Sequence, residues 1–232
     1  MPEQRRHVQA QPTLDPLAPV FFMSYSGGVV PDSTPDPNNS RTYLQRFFDD
    51  VSELVNEFLT LSIGHIPGFL DAQIQGGQFW DRKILAAVGR CQVFVPLLSP
   101  RFMASDWCRF EWATFASREI RLRDKEDQDT EPAESVADAA IVPVNWTFMD
   151  PAQSPGTIRR IQTFAPSEAD PRALYLRDGV LGLLRMQQQQ AYGVVVWRLA
   201  RRIVDIVEKY EVVPRVPPDT SGLGPTFMEE SQ

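Results

Sequence analysis

Three short apolar runs decide most of what this chain can fold into. Pro19-Val20-Phe21-Phe22-Met23-Ser24-Tyr25-Ser26, Gln92-Val93-Phe94-Val95-Pro96-Leu97-Leu98-Ser99 and Ala139-Ala140-Ile141-Val142-Pro143-Val144-Asn145-Trp146 are each β-prone. Such runs are expected of strands covered on both faces. Between the first two lies a different pattern: Tyr43, Leu44, Phe47, Phe48, Val51, Leu54, Val55, Phe58 and Leu59 recur at spacings of three and four with acids between them, which predicts an amphipathic helix. Pro67 to Asp71 reads as a brief extended piece, followed by the glycine-bearing loop Ala72–Gly77 and a helix through Trp80, Ile84, Leu85 and Val88. A third helix opens at Ser105 and runs toward Arg121, a last strand is expected at Ala173-Leu174-Tyr175-Leu176, and Gly179 to Tyr210 reads as mostly helical. Its closing helix turns Val195, Leu199, Ile203, Ile206 and Val207 inward. Strands alternating with helices imply a parallel sheet with right-handed crossovers on both faces.

The remaining sequence sets the limits. Residues 1–18 are polar and proline-bearing and read as a flexible arm; 19–211 form one domain; 212–232, with Pro214, Pro217, Pro218 and Pro225, read as a tail or linker. With 23 Lys+Arg against 30 Asp+Glu the formal charge is -7, and no basic block exists to track a phosphate backbone, so nucleic acid is not an expected partner. No apolar run approaches the roughly 20 residues that span a bilayer, and the first residues lack the apolar core of a signal peptide, so the expected location is the cytoplasm, with no membrane partner. Two cysteines, Cys91 and Cys108, make no disulfide framework, and His7 and His65 leave little for a metal site.

In an open parallel sheet, ligands gather at the carboxyl ends of the strands, where the strand order reverses. The segments expected there are Ser24 to Gly28, Asp71 to Gly77, Ser99 to Ser105 and the first turns of the third helix. Ser105 is a sound N-cap and Asp106 complements the helix dipole. In that register Trp107, Glu111 and Phe115 share a face. Spacing alone leaves two readings of Glu111 open. It is either a surface acid paired with Arg118 or Arg82, or a carboxylate in a partly desolvated aromatic pocket, tuned for a cationic or sugar-like ligand. Cys108, near the same helix start, is either a thiol of lowered pKa or a small buried filler. Trp80 shares a helix face with Ile84 and reads as core.

Four motifs, in order, carry a resemblance. Phe21-Phe22-Met23-Ser24-Tyr25-Ser26 resembles the opening strand of TIR (Toll/interleukin-1 receptor) domains. Gly68-Phe69-Leu70-Asp71 through Gly77-Gln78-Phe79-Trp80 is similar to their second strand and BB loop. Cys91 to Ser99 resembles their third strand, and Ser105-Asp106-Trp107-Cys108-Arg109-Phe110-Glu111 their S-x-W-C-x-x-E helix. The continuation, with Cys108-Arg109-Phe110-Glu111-Trp112 and Pro143-Val144-Asn145-Trp146, looks most like actinobacterial TIR-like proteins of the FxsC type. The resemblance implies an α/β fold, a flavodoxin-like three-layer sandwich with a mostly parallel five-stranded sheet in the order 2-1-3-4-5.

It also implies a choice of function. Many bacterial and plant TIR domains cleave NAD to nicotinamide and ADP-ribose or a cyclic isomer, whereas many animal ones only assemble. Carried over, Glu111 would be the catalytic carboxylate and Trp107 the aromatic that stacks on the ligand. Tyr25, Ser26, Gly77 and Phe79 would line the nucleotide cleft, with NAD as substrate and no bound cofactor or metal. Ser26 stands where several NAD-cleaving relatives carry an arginine. Breaking the bond between ribose and a cationic nicotinamide releases a neutral leaving group, so one ionised carboxylate facing the ribosyl cation is sufficient. The expected partners are further TIR domains, engaged through the BB loop Ala72–Gly77, and an upstream sensor protein or domain. The alternatives are a non-catalytic scaffold and a nucleotide-binding module without turnover. Bacterial signalling or antiphage defence is the role the family implies.

Overall fold

A computed structural model describes residues 14–15, 18–27, 40–61, 65, 67–72, 81–123, 138–150 and 155–215. The expected loop Ala72–Gly77, apart from Ala72, together with Phe79, Trp80 and most of both termini, lies outside the described residues.

The apolar runs become the strands. β1 (Phe21–Tyr25), β2 (Gly68–Ala72) and β3 (Val93–Leu98) are joined by α1 (Ser40–Leu59) and α2 (Asp81–Val88). After β3 the chain forms α3 (Pro100–Ala104), α4 (Asp106–Ala116), β4 (Ile120–Leu122) and β5 (Val144–Asn145). It closes with α5 (Gly156–Arg160), α6 (Ala169–Arg185), α7 (Gln189–Lys209) and β6 (Tyr210–Val212). Among the described residues the main sheet has four parallel strands in the order β2-β1-β3-β5. β3 is buried along its whole length, which is why its sequence shows no alternation.

Each strand offers a different face to each helical layer. Phe21, on one face, meets Phe48 of α1 at 5.8 Å between ring centroids. Phe22, on the other, stacks on Phe69 and Phe94, its neighbours across the sheet. Phe94 in turn packs against Trp112 and Phe115 of α4. α1 buries Leu44, Phe47, Val51, Val55 and Leu59, and α7 buries Val195, Leu199, Ile203, Ile206 and Val207, the stripes that the helical spacing predicts.

The sheet departs from expectation at its edge. Ala173-Leu174-Tyr175-Leu176, expected as a fifth strand, is a turn of α6. Four apolar residues fit either period, and here Tyr175 is buried while Leu176 is 41% exposed, with burial continuing at Gly179, Val180, Leu183 and Leu184. The tyrosine occupies the position a fifth strand would have used: its hydroxyl accepts from the Asn145 N–H at 2.7 Å. Gly179 breaks the helix at φ 67°, where a Cβ would lie 2.7 Å from the Trp146 carbonyl oxygen. This lets the Leu181 N–H reach that carbonyl at 2.9 Å, so α6 caps the edge that β5 leaves open.

A second correction concerns the helix opened at Ser105. It ends at Ala116 rather than continuing to Arg121, and residues 120–122 form β4, antiparallel to β6. Arg118, buried beneath this small sheet, donates to the carbonyls of Val88, Cys91, Val212 and Val213 at 2.7–3.2 Å. Backbone bonds from Val213 to Glu119 and from Arg215 to Gly89 carry the packed chain to Arg215. At the other end Ala18 is buried and Leu14 packs on the core.

Candidate functional site

The site is built by strand register. In the parallel pair β1–β2, Phe22 lies beside Phe69 and, two residues on, Ser24 lies beside Asp71. Two residues is the period that returns a side chain to the same face. The face that carries three stacked phenylalanines therefore ends, toward the strand carboxyl termini, in a serine and an aspartate. α4 repeats the change from apolar to polar. Phe115 and Trp112 cover Phe94, and Glu111, one turn before Phe115, reaches Ser24 and Asp71.

The start of α4 is fixed from both sides. Ser99 Oγ accepts from the Phe102 N–H at 3.1 Å and caps α3, and Ser105 Oγ accepts from the Cys108 N–H at 3.3 Å and caps α4. Capping locks the register that aims Trp107 and Glu111 at the strand ends.

Glu111 has no solvent-exposed surface, and Asp71 is 4% exposed. Ser24 donates its hydroxyl to Glu111 Oε2. The Trp107 indole N–H is shared, donating to Glu111 Oε1 at 2.8 Å and to Asp71 Oδ2 at 3.2 Å. The two carboxyls thus converge on one donor. Burial, then the neighbouring Asp71 carboxyl, hold the Glu111 carboxyl well above its ordinary pKa; burial likewise raises that of Asp71. The surface ion pair with Arg118 is ruled out, since Glu111 is enclosed and the Arg118 guanidinium is spent on backbone carbonyls. Glu111 is therefore desolvated, and burial beside a second acid shifts its carboxyl toward the neutral form. Cys108 is buried, and its thiol is pushed up to about 12, chiefly by burial, which makes it a filler.

The structure brings four of the six sequence-derived site residues to this end of the sheet. Glu111 and Trp107 are in direct contact. Tyr25 ends β1, half-buried with its ring edge-on to Trp146 at 5.6 Å, and Ser26 follows it, buried. Gly77 and Phe79 lie outside the described residues. Sequence reasoning placed Ser24 and Asp71 in the right segments without singling them out; the signal was a polar residue closing each of two otherwise apolar strands. Arg101, exposed on α3 directly after β3, is a cation whose field lowers the Tyr25 phenol against the rise that burial causes. Among the described residues no group of three or more His, Cys, Asp or Glu is arranged to hold a metal ion, and no helix is long and apolar enough to cross a membrane.

One family model matches the chain, that of the TIR domain, over residues 49–170. This span runs from the middle of α1 into the start of α6 and contains Asp71, Trp107 and Glu111. No curated protein and no solved structure matches.

Proposed function

Because the chain belongs to the TIR domain family, we propose that it is an NAD glycohydrolase with Glu111 as its carboxylate, brought to activity by self-assembly. The observation that carries this reading is a fully enclosed glutamate at the carboxyl end of a parallel sheet, bonded to an indole and a hydroxyl rather than to a cation. A domain that only docks on its neighbours has no structural use for an acid there, because enclosing an unpaired carboxyl costs free energy. Active sites are where such costs are met.

In the reaction the C1′–N bond between ribose and nicotinamide breaks, and its electron pair leaves with neutral nicotinamide. An oxocarbenium-like ribosyl cation forms, water adds at C1′, and one proton is released. Attack by a nitrogen of the adenine instead of water gives a cyclic isomer. Glu111 in its ionised form faces the developing positive charge, an effect enlarged where water is excluded. Trp107 offers a π face to a ring that is cationic before the bond breaks, worth about 1 kcal/mol or more when desolvated. Tyr25, Ser26, Gly77 and Phe79 are the proposed lining of the nucleotide cleft. Arg101 takes the diphosphate, replacing the cation that Ser26 does not supply. The BB loop Ala72–Gly77 is the proposed contact with the next copy, an upstream sensor the proposed trigger, and bacterial defence in the cytoplasm the proposed setting.

A scaffold reading is favoured by one specific observation: Glu111 is enclosed, so a ligand reaches it only after rearrangement. The deciding experiment is nicotinamide release from NAD by wild type and Glu111→Ala, dilute and clustered on beads. Release that appears on clustering and vanishes in the variant supports the glycohydrolase. A folded, clustered wild type that releases none leaves the scaffold.

A further inference from the structure

Ionised carboxylates only accept hydrogen bonds. Asp71 and Glu111, 4% and 0% exposed, converge on a single donor: Asp71 Oδ2 and Glu111 Oε1 lie 3.2 and 2.8 Å from the same indole nitrogen of Trp107. Two enclosed anions on one donor repel each other, and binding one proton between them relieves that cost. Among the described residues, the surroundings supply no cation that would let both ionise. β1 contributes the uncharged Ser24. α4 contributes Cys108, whose thiol stays protonated to about 12, and the approach to β3 contributes Cys91, protonated to about 11. The charge of Arg118, beyond α4, acts on Cys91, and its donors are engaged by four backbone carbonyls. Among the described residues no hydrogen bond or ion pair joins Asp71 or Glu111 to a lysine or arginine.

We propose that Asp71 is the positioning residue that sets the charge of Glu111: the pair holds one proton and one negative charge, and the proton rests on Glu111. Glu111 is the more completely enclosed of the two and so carries the neutral form. Transfer of the proton from one carboxyl to the other leaves Asp71 neutral and Glu111 an anion, with no change in total charge. That second form is the one able to face a ribosyl cation. This last step rests on the glycohydrolase reading, whereas the shared proton does not.

The test is a carboxyl ¹³C NMR titration of the full chain labelled at glutamate and aspartate side chains. The Glu111 resonance is identified by its loss in Glu111→Gln. In wild type, Glu111 should titrate above the exposed glutamates, and Asp71→Asn, which keeps the shape but removes the charge, should move it back toward acid. In clustered protein the acid limb of the pH profile for nicotinamide release should move the same way. A wild-type Glu111 that titrates with the exposed glutamates overturns the proposal without recourse to any variant. So does a midpoint that Asp71→Asn leaves in place. If no nicotinamide is released at any pH, the glycohydrolase reading fails, while the titration still decides whether the proton is shared.

Discussion

Glu111 and Arg118 stand two helical turns apart, one within α4 and one just beyond its end, and both are buried ionisable groups. They are treated in opposite ways. Arg118 sits past the carboxyl end of the helix, where the dipole favours a cation. Its donors reach four backbone carbonyls drawn from the end of α2, the approach to β3, and β6 with the residue after it. Its stem runs along Phe115, with the guanidinium carbon 5.1 Å from the ring centroid. That is a complete set of partners, and it pins β6 and the chain beyond it to the main sheet. Glu111 receives two donors and has a second acid beside it. Burial lowers the Arg118 pKa and raises that of Glu111, but only the arginine has the surroundings that a buried charge needs. One buried ionisable group is there to hold the fold, and the other is held by it.

If that contrast is right, the largest effect belongs to the arginine. Arg118→Met keeps an apolar stem and orphans four carbonyls, so the variant should lose on the order of 3–5 kcal/mol of stability in urea denaturation. A loss under about 1 kcal/mol would mean that the carbonyls find water, and that Arg118 is no staple. Glu111→Gln should do the reverse. Glutamine is uncharged like a protonated glutamate: its oxygen, in the place of Oε1, can accept from Trp107, while its amide, in the place of Oε2, donates to the Ser24 hydroxyl. Stability at neutral pH should hold or rise, while nicotinamide release by clustered protein falls by at least about 100-fold. Should Glu111→Gln unfold as readily as Arg118→Met, both groups are structural and the comparison collapses.

How much of this contrast could be read from the chain differs between its two halves. The strands β1 and β3, the helices α1 and α7, and the capped start of α4 followed from periodicity and from Ser105. Local pattern determines them, and tertiary structure agrees. The cap also puts Glu111 in the aromatic stripe, but spacing alone leaves its role open, and only the resemblance to TIR domains singles it out. The partnership with Asp71 could not be read this way. It depends on Ser24 and Asp71 being paired across β1 and β2, and register between strands 47 residues apart leaves no local trace. Arg118 was weighed as an ion-pair partner because carbonyl acceptors are invisible in a sequence. Ala173 to Leu176 misled for a related reason: four apolar residues fit either period, and the helical one shows only in the burial that continues from Tyr175 through Gly179, Val180, Leu183 and Leu184.

The acid pair also gives the comparison a pH dependence, with a sign that follows from linkage. A carboxyl whose pKa is raised on folding binds more protons folded than unfolded. Its contribution to stability is fully present below the unfolded value, about 4.3 for glutamate, and is lost as pH rises through the raised folded value, with a slope of at most about 1.4 kcal/mol per pH unit for one proton. Glu111→Gln removes that loss. The variant should match wild type most closely near pH 4 and gain on it until the pH has passed the raised folded value, as read by the difference in Tm. Asp71→Asn should flatten the same difference. A gap that stays constant across this range would show that no raised carboxyl is present, and Glu111 would then resemble an ordinary satisfied group.

The smallest expected effect separates two arginines. Arg118 is enclosed and makes its contacts within the protein; Arg101 is exposed on α3 at the carboxyl end of the sheet, within electrostatic reach of Tyr25. If it takes the diphosphate of NAD, Arg101→Gln should raise KM roughly three- to tenfold, a loss of at most about 1.4 kcal/mol of binding at a solvent-accessible site. The kcat should change little, because the interaction is made equally before and during bond breaking. The increase should shrink in high salt, which already screens an exposed charge, and the urea midpoint should stay at the wild-type value, unlike that of Arg118→Met. An unchanged KM would remove Arg101 from the site and leave the phosphates to be met by a neighbouring copy. A fall in kcat without a change in KM would instead place Arg101 with the groups that order Tyr25 and the first turns of α4, on the structural side of the divide that Arg118 defines.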